Sequence, residues 1–311
     1  IGGGSGNSIL ASVDSFIGGG NSNTITSSDA VAIVGGINNT IQSTYSGSYG
    51  PAPSYIDTAS LYQDNVYSFI GGGESNTIGG DRKNNLSGSY GFIGAGKSNT
   101  VNGQYGSVVG GRSNSVKAEY GSIVGGYSNY IEYESTGGFI GGTYDGYVTR
   151  SPYGSIVGGY KMRMLDSENS FIGGGDSRNA NNSEYSVPMS LAPNSAIVGG
   201  RGNVISTGTT KPVTSGSFIG GGTFNTIKSS AHSVIVGGYE NTIGDYDAGK
   251  ASGSRAATIV GGEENSILIS PYSFIGGGFN NTIGVESSLD NRSHGSIYSA
   301  IVGGYNNDIK G

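Results

Sequence analysis

The apolar positions of this chain recur at short and nearly constant intervals. Each copy of the pattern begins with an Ile or Val followed by glycines, as in Ser-Phe-Ile-Gly-Gly-Gly. Unbroken copies are 15–17 residues long, and longer intervals are the same unit plus an insertion. Such a period indicates a repeat architecture. We number each copy from this anchor, position i, and the sixteen anchors are Ile1, Ile17, Ile33, Ile70, Ile93, Val108, Ile123, Ile140, Ile156, Ile172, Ile197, Ile219, Ile235, Ile259, Ile275 and Ile301.

A second apolar position follows the anchor in each copy. Position i+8 is Ile or Val in 14 copies, with Met164 and Ala180 as the exceptions. The unit therefore predicts two short strands and two turns, and it is too short to bury its own apolar face. Stacked coils bury that face when each strand pairs with its equivalent one coil on. We predict an all-β fold, a parallel β-solenoid of about sixteen coils spaced by about 4.8 Å, forming one repeat domain over residues 1–311 of a longer chain.

An asparagine occupies position i+6 in 13 of the 16 copies. Its regular recurrence predicts an internal row in which side-chain amides bond along the stack, as in cross-β assemblies. Gly146, Met162 and Arg178 replace it in three consecutive copies, so we predict local irregularity over residues 139–180. The predicted internal row contains Asn23, Asn39, Asn76, Asn99, Asn114, Asn129, Asn225, Asn241 and Asn281.

The residues on either side of the anchor vary together. Seven copies have Phe at i−1 and Gly at i+1, whereas the other eight have a smaller residue at i−1 and Val at i+1. Since i−1 and i+1 share one strand face, the pair keeps the volume of one packed layer nearly constant. The phenylalanines are Phe16, Phe69, Phe92, Phe139, Phe171, Phe218 and Phe274, and the valines include Val34, Val124, Val236 and Val302.

This pairing makes the anchor strand apolar on both faces, and such strands are usually buried on both. One face would line the solenoid interior, and the other requires a partner, because so long an exposed stripe exceeds the few hundred Å² that monomers usually show. We predict a lengthwise interface between copies of the chain. The pattern favours Ile inside and Phe with Val between chains, although the sequence also permits the reverse, or a stripe covered by the chain's own insertions.

Each insertion is predicted to lie between the i+8 strand and the next anchor, so the loops emerge on one side of the solenoid. Loops on a rigid scaffold are frequent binding sites, and exposed Tyr with Ser, Asn and Gly is a common recognition composition. The alternative is that the loops only coat or space the solenoid. The largest insertion, within 42–65, carries the candidate recognition residues Tyr45, Tyr49, Tyr55 and Tyr62.

Composition narrows the function classes. Glycine accounts for 61 of 311 residues, yet 7 prolines and the absence of strict spacing exclude collagen. The net charge of −6 and the scattered basic residues argue against nucleic acid as a partner. No apolar run approaches the roughly 18 residues of a membrane span, and the absence of cysteine removes disulfides and thiolate chemistry.

No motif for catalysis, a cofactor or a metal stands out. Gly91–Ser98 matches the phosphate-binding pattern GxxxxGK[ST], but Asn99-Thr100-Val101 follows as in every other copy, so the repeat accounts for the match. His232 and His294 lie far apart in the chain and form neither a metal cluster nor a triad. We therefore predict a protein that is not an enzyme and has no cofactor.

The unit Ser-Ile-Val-Gly-Gly-Tyr-Ser-Asn at 122–129 resembles the head repeats of trimeric autotransporter adhesins and the glycine-rich repeats of phage and large-virus fibre proteins. This resemblance implies a left-handed parallel β-roll and three chains packed as a rod outside a cell or virion. It leads us to expect a homotrimeric structural fibre at the cell or virion surface, with host glycan or receptor attachment through the loops.

The unit Val-x-Gly-x-x-Asn-Thr-Ile is also similar to the repeats of grass ice-binding proteins. That function requires a flat, regular array of hydroxyl groups, and here the threonines at i+7 are interrupted by residues such as Tyr130 and Arg163. A tailspike-like enzyme that degrades polysaccharide is a further alternative, which a carboxylate pair in a groove would support. The i+7 threonines are Thr24, Thr40, Thr77, Thr100, Thr226, Thr242 and Thr282.

Overall fold

The computed structural model describes residues 1–43, 65–80, 88–177, 188–207, 214–244, 253–284 and 296–310. Over these ranges the chain is all-β and contains no helix, so none of the described residues forms a helix that could cross a membrane. The chain divides into two compact units, Ile1–Gly142 and Thr143–Gly311. In each unit the strands pair in parallel, coil after coil, which confirms the predicted parallel β-solenoid.

The first unit contains two parallel sheets, which we call the anchor sheet and the i+8 sheet after the positions they carry. A short extra pair, Ser28–Asp29 with Asn65–Val66, lies beside them, and Gly126–Tyr127 forms one further short strand. The anchor sheet contains Phe16–Ile17, Ala32–Ile33, Phe69–Ile70, Phe92–Ile93, Ser107–Val108, Ser122–Ile123 and Phe139–Tyr144, the last of which crosses the division between units. The i+8 sheet contains Ser8–Leu10, Thr24–Thr26, Thr40–Gln42, Thr77–Gly79, Thr100–Val101, Ser115–Val116 and Tyr130–Ile131.

The second unit repeats this arrangement. Its anchor sheet contains Ser155–Tyr160, Phe171–Ile172, Ala196–Ile197, Phe218–Ile219, Val234–Ile235, Thr258–Ile259, Phe274–Ile275 and Ala300–Ile301. Its i+8 sheet contains Tyr147–Thr149, Arg163–Leu165, Met189–Ser190, Val204–Ser206, Thr226–Lys228, Thr242–Gly244, Ser266–Leu268, Thr282–Gly284 and Asp308–Ile309.

The core of each unit consists of the anchor and i+8 side chains. Equivalent residues stack directly on one another, as in the pairs Ile25 with Ile41 and Ile227 with Ile243. These isoleucines have no exposed surface, and Met164 takes the i+8 place in its coil with the same burial. The structure therefore places the Ile ladder inside, which is the first of the two arrangements that the sequence permitted.

The corner between anchor strand and i+8 strand requires glycine at i+3. Gly238 has φ +104°, and an added Cβ would lie 2.2 Å from the Gly262 carbonyl oxygen of the next coil. Every copy has glycine there except one, in which a buried Thr143 outside the positive-φ region takes the place. Position i+5, usually Ser, Asn or Glu, also adopts positive φ, as Ser98 does at 57°.

The second corner, which looked variable in sequence, contains buried serines in regular rows. Their hydroxyls accept from the backbone of the following coil, as when the Ser254 amide donates to Ser230 Oγ at 2.9 Å and the Ser270 amide to Ser254 Oγ at 3.1 Å. The same hydroxyls donate to backbone carbonyls, such as Ser254 Oγ to the Ile267 oxygen at 3.0 Å. These serine hydroxyls are thus paired inside the coil stack, in agreement with the cost of leaving buried polar groups unpaired.

One insertion is not where the sequence placed it. The ranges 44–64, 81–87, 208–213, 245–252 and 285–295 fall between an i+8 strand and the next anchor, as predicted, but 178–187 falls before the i+8 strand. Met189, rather than Ala180, occupies the i+8 position, because it pairs with Met164 and Ile205. Counting Ala180 as i+8 predicts this insertion as the loop Asn181–Asn194, and that prediction is wrong, since residues 188–194 belong to a regular half-coil.

The coils without the ladder asparagine keep their register. Val148 pairs with Met164 and Tyr147 with Arg163, so the stack is not interrupted there. The change lies in the corner, where the strand Ser155–Tyr160 runs through positions that form a bend in most other coils. Met162 fills the place of the asparagine with a buried thioether side chain. The third such residue, Arg178, lies outside the described residues.

Deleting residues 44–64 is expected to leave the solenoid intact. Gln42 pairs with Thr26 and Asn65 with Ser28, so the two ends of the deleted segment are already neighbours in one coil. The Asn65 side-chain amide also donates to the Gln42 carbonyl oxygen. Joining Ser43 to Asn65 would give the eight-residue step between i+8 and the next anchor that Ile25 and Ile33 show.

Circular dichroism and thermal melting of the deleted chain test this expectation. We expect an unchanged β spectrum and a melting temperature within about 4 °C of the parent, the shift caused by about 1 kcal/mol in a domain of this size. A deletion of the same length shifted to 40–60 removes the strand Thr40–Gln42 and serves as the control. Equal loss of β signal in both variants would show that 44–64 is part of the fold.

Candidate functional site

The asparagines predicted as an internal row lie buried in the first corner. Asn241 shows the pattern: its Oδ1 accepts from the amide and from Nδ2 of Asn265, at 3.0 and 3.1 Å. Its own Nδ2 donates to the Gly237 and Gly262 carbonyl oxygens, at 3.2 and 2.9 Å. Each side-chain amide therefore links its own coil to the next one, and the row supports the solenoid rather than presenting a binding surface.

The outward face of the anchor sheet carries a Phe or a Val in each coil from Ile17 on, with Ser or Thr beside the Val in four coils, and we call it the Phe/Val face. Positions i−1 and i+1 point away from the core. The Phe side chains at i−1 and the Val side chains at i+1 remain 36–50% exposed in most coils, as for Phe218 at 36% and Val236 at 50%. Phe139 is half-buried, and Val302 near the end of the described chain is the most exposed of the valines. The predicted interface residues thus share one surface within each unit, and that surface is open in the single chain.

The Phe and Gly of one coil are matched by direct contact. An added Cβ at Gly220 would lie 3.2 Å from Cε1 of Phe218, so the ring lies over the glycine two residues later. The same relation holds for Gly18 with Phe16 and for Gly173 with Phe171, both at 3.2 Å. An added Cβ at Gly220 would also lie 2.4 Å from the Val236 carbonyl oxygen, so the glycine is required both by the ring of its own coil and by the backbone of the next coil.

The size of the Phe/Val face exceeds that of scattered surface hydrophobics. A phenylalanine buries about 200 Å² when fully covered, so one that is two-fifths exposed leaves roughly 80 Å² in water. The second unit alone presents eight Phe and Val side chains in successive coils, which amount to several hundred Å² of contiguous apolar surface. The residues are Val157, Phe171, Val198, Phe218, Val236, Val260, Phe274 and Val302.

The outward face of the i+8 sheet has the opposite character. In the first unit its i+7 positions form an unbroken row of six hydroxyl residues that pair in register from coil to coil. In the second unit a row of four is followed by Asp308. Tyr130 ends the first row, with the Lys117 ammonium 5.3 Å from its ring. The rows are Ser8, Thr24, Thr40, Thr77, Thr100 and Ser115, and Thr226, Thr242, Ser266 and Thr282.

A row of tyrosines at i−3, which sequence analysis did not identify, lies on the second corner of the first unit. Tyr67, Tyr90, Tyr105 and Tyr120 occupy equivalent places in four successive coils, all with φ between 55° and 57°. Successive ring centroids are 5.2, 4.7 and 4.9 Å apart, and the rings are nearly parallel. Tyr272 and Tyr298 repeat the arrangement in the second unit, at 5.1 Å. Counting backwards from each anchor would have revealed the row.

The match to a phosphate-binding loop has no structural counterpart. Lys97 forms an ion pair with Glu74 in the preceding coil, with Nζ 2.8 Å from Oε1. The strand Thr100–Val101 begins where such a loop would need the first turn of a helix. Residues 91–98 are therefore an ordinary coil corner.

Other candidate residues contribute no further site. Tyr45, Tyr49, Tyr55 and Tyr62 lie outside the described residues, as does His294. Among the residues that are described, no three His, Asp or Glu side chains come together as a potential metal site. His232 is an exposed i−3 residue with φ 56°, the place that tyrosine takes in other coils.

Comparisons with known proteins identify no family for this chain. No protein-family model matches the chain, and a search of curated proteins found no significant match. The candidate functional surfaces of the described residues are the Phe/Val face, the hydroxyl rows and the tyrosine row.

Proposed function

We propose that this chain is a structural protein, which forms an extracellular or virion-surface fibre by lengthwise self-association through the Phe/Val face. The observation that supports this is the continuous exposed row of Phe and Val on one side of each unit, beside a polar row on the other. Burying such a row removes apolar surface from water at roughly 25 cal/mol per Å². The resemblance to fibre repeats adds the expectation of three chains, with glycan or receptor attachment through the inserted loops.

A second copy of the chain is the partner that fits the Phe/Val face best. Its side chains repeat at the spacing of the coils, about 4.8 Å, so a partner matches many of them only if it has the same period. Large residues alternate with small ones along the face, as in Phe171, Ala196 and Phe218. A neighbouring copy shifted by one coil can therefore place its phenylalanines over the small residues, with packing like that of a protein interior.

Sedimentation velocity over a range of concentrations tests self-association directly. We expect species well above the 31.4 kDa of one chain, together with elongated particles of uniform width in electron micrographs. A single species of one-chain mass up to high micromolar concentration would contradict the proposal.

Ice binding is the second candidate, because the six-residue hydroxyl row of the first unit is in continuous register on a parallel sheet. Thermal hysteresis of the native chain should then be measurable and should fall by more than half in a Thr40→Tyr variant, which interrupts the middle of the row. Thr226→Tyr, in the shorter row, is the matched control. Absence of hysteresis, or equal loss in both variants, would exclude the hydroxyl row of the first unit as an ice-binding surface.

A further inference from the structure

The tyrosine row of the first unit has a geometry that a structural role in the coil does not require. Most other coils have Asn, Asp, Ala, Gly or His at i−3, such as Ala30 and Asn169, and keep the same positive φ. A bulky residue in this backbone region is unusual, yet four successive coils carry one. The backbone corner is therefore formed with or without tyrosine, and the rings themselves need another explanation.

Beside the row runs a line of positions without outward side chains, which we call the channel. Position i−2, between the tyrosine and the anchor strand, points inward: an added Cβ at Gly106 would lie 2.8 Å from the Val101 side chain in the core. The outer surface above i−2 therefore carries no side chain. On the far side stand the i−1 residues, among them Phe69 and Phe92, whose rings stack at 5.8 Å.

The stacking of the rings decides which ligand chemistry the channel fits. Tyr90 and Tyr105 have both faces covered by neighbours and are 41% and 40% exposed, whereas the terminal Tyr67 and Tyr120 are 62% and 55% exposed. The inner rings thus offer edges and hydroxyl groups, not open faces on which a sugar ring could stack. Ring edges carry partial positive charge and attract the π face of another aromatic system in edge-to-face contact.

The Glu119 carboxylate favours a cation at the Tyr120 end of the row. Partial desolvation, the adjacent Glu119 carboxylate and the neighbouring Tyr105 phenol together raise the pKa of the Tyr120 phenol above its ordinary value. The chain as a whole carries a net charge of −6. We propose that the channel beside Tyr67, Tyr90, Tyr105 and Tyr120 binds an elongated, planar, cationic aromatic molecule that lies along the solenoid axis.

The row is suited to such binding because it is ordered before the ligand arrives. Stacking holds each ring in line with the next, and tyrosine has only two side-chain torsions to restrict. A ligand that spans the row contacts several rings at once, so it loses its orientational freedom only once for all of them. Removing the two central rings is therefore expected to weaken binding more than removing isolated tyrosines elsewhere.

Thioflavin T, an elongated planar cation, is the probe for this site. Its binding is measured by equilibrium dialysis and fluorescence on the soluble chain after high-speed centrifugation. In the double variant Tyr90→Asn, Tyr105→Asn we expect at least tenfold weaker binding, because asparagine suits positive φ and occupies the same position as Asn169 and Asn194. Replacing the same two residues by Phe keeps the stack and is expected to retain most of the binding.

Tyr127→Asn is the matched control, since Tyr127 is 38% exposed and lies on the other corner. We expect it to bind the dye as the parent does. The measurement is repeated on the Phe218→Asp chain, in which a channel covered by assembly would be open. Binding that depends on Tyr90 and Tyr105, in the parent or in the Phe218→Asp chain, supports the proposal. Dye bound only by pelleted material, no binding by either form, or equal binding by the double asparagine variant would overturn it.

Discussion

Replacing Phe218 by Asp is expected to reduce the assembled protein to a much smaller mass while the chain stays folded. Phe218 lies in the middle of the Phe/Val face of its unit, between Ala196 and Val234 in the neighbouring coils. In an interface between copies, the new carboxylate would be buried without a partner, and leaving a charge uncompensated in that way costs several kcal/mol. A loss of about 3 kcal/mol corresponds to roughly a hundredfold increase in the dissociation constant.

The effect on folding is expected to be much smaller. The Phe218 side chain is 36% exposed in the single chain, and Asp at this position keeps its carboxylate in water. The anchor Ile219 beside it remains fully buried, and the parallel pairing of the strand uses only backbone groups. Circular dichroism and thermal melting therefore separate loss of assembly from loss of fold.

Thr226→Asp is the control for this experiment. Thr226 belongs to the same copy of the repeat but lies on the outward face of the i+8 sheet, so the substitution adds the same charge to the opposite surface. Light scattering is expected to show the parent mass for Thr226→Asp and a reduced mass for Phe218→Asp. Unchanged mass in Phe218→Asp, or an equal reduction in both, would show that the Phe/Val face does not mediate assembly.

The fold could be predicted from the sequence because its main determinants repeat at fixed distances after the anchor. Ile at i and i+8 and Asn at i+6 each occupy the interior, where a substitution would disturb the coils above and below. The covariation of Phe and Gly was also visible in the sequence, although the contacts behind it, with the ring of the same strand and the carbonyl oxygen of the next coil, needed the structure. Because few residue types fit these positions, the same residues recur there from copy to copy.

The features that the sequence did not predict lie at positions without a fixed distance from the preceding anchor. Insertions of different length separate i+8 from the next anchor, so the tyrosines at i−3 have no fixed distance from the preceding anchor. Positive φ is also expected of glycine or asparagine, not of Tyr90 or Tyr105. Counting eight residues from the anchor Ile172 gives Ala180 as i+8. The insertion at 178–187 lies before the i+8 strand, however, and Met189 occupies that position.

Replacing Asn241 by Ala is expected to destabilise its region of the solenoid by about 3–5 kcal/mol, because two or three buried polar groups lose their partners at about 1–3 kcal/mol each. The groups left without a partner are the Gly237 carbonyl oxygen and the Asn265 backbone amide, and the Gly262 carbonyl oxygen keeps only the Tyr239 amide as donor. Repeat arrays can unfold in parts, so hydrogen exchange of peptides spanning 219–265 is the appropriate measurement. Protection there is expected to fall by a factor of a hundred or more.

Asn21→Ala is the matched control for this substitution. Asn21 lies at an exposed position of the same kind of corner, where other copies have residues as different as Ile37 and Lys97. We expect a change within about 0.5 kcal/mol, as for surface substitutions in general. If Asn241→Ala were equally mild, the buried amide row would not contribute to stability as its hydrogen bonds imply.

The coils that lack the asparagine explain why a single replacement is costly although the chain itself tolerates several. Gly146 and Met162 lie in consecutive coils, and Met162 fills the corner with apolar atoms. When consecutive coils all lack the asparagine, the donors and acceptors of the row are absent together. Asn241→Ala, by contrast, leaves the side-chain amides of Asn225 and Asn265 on either side of a gap. Buried polar networks are favourable only when every member is paired. Accordingly, Asn241→Met is expected to recover packing but not the lost hydrogen bonds, and to remain well below the parent in hydrogen-exchange protection.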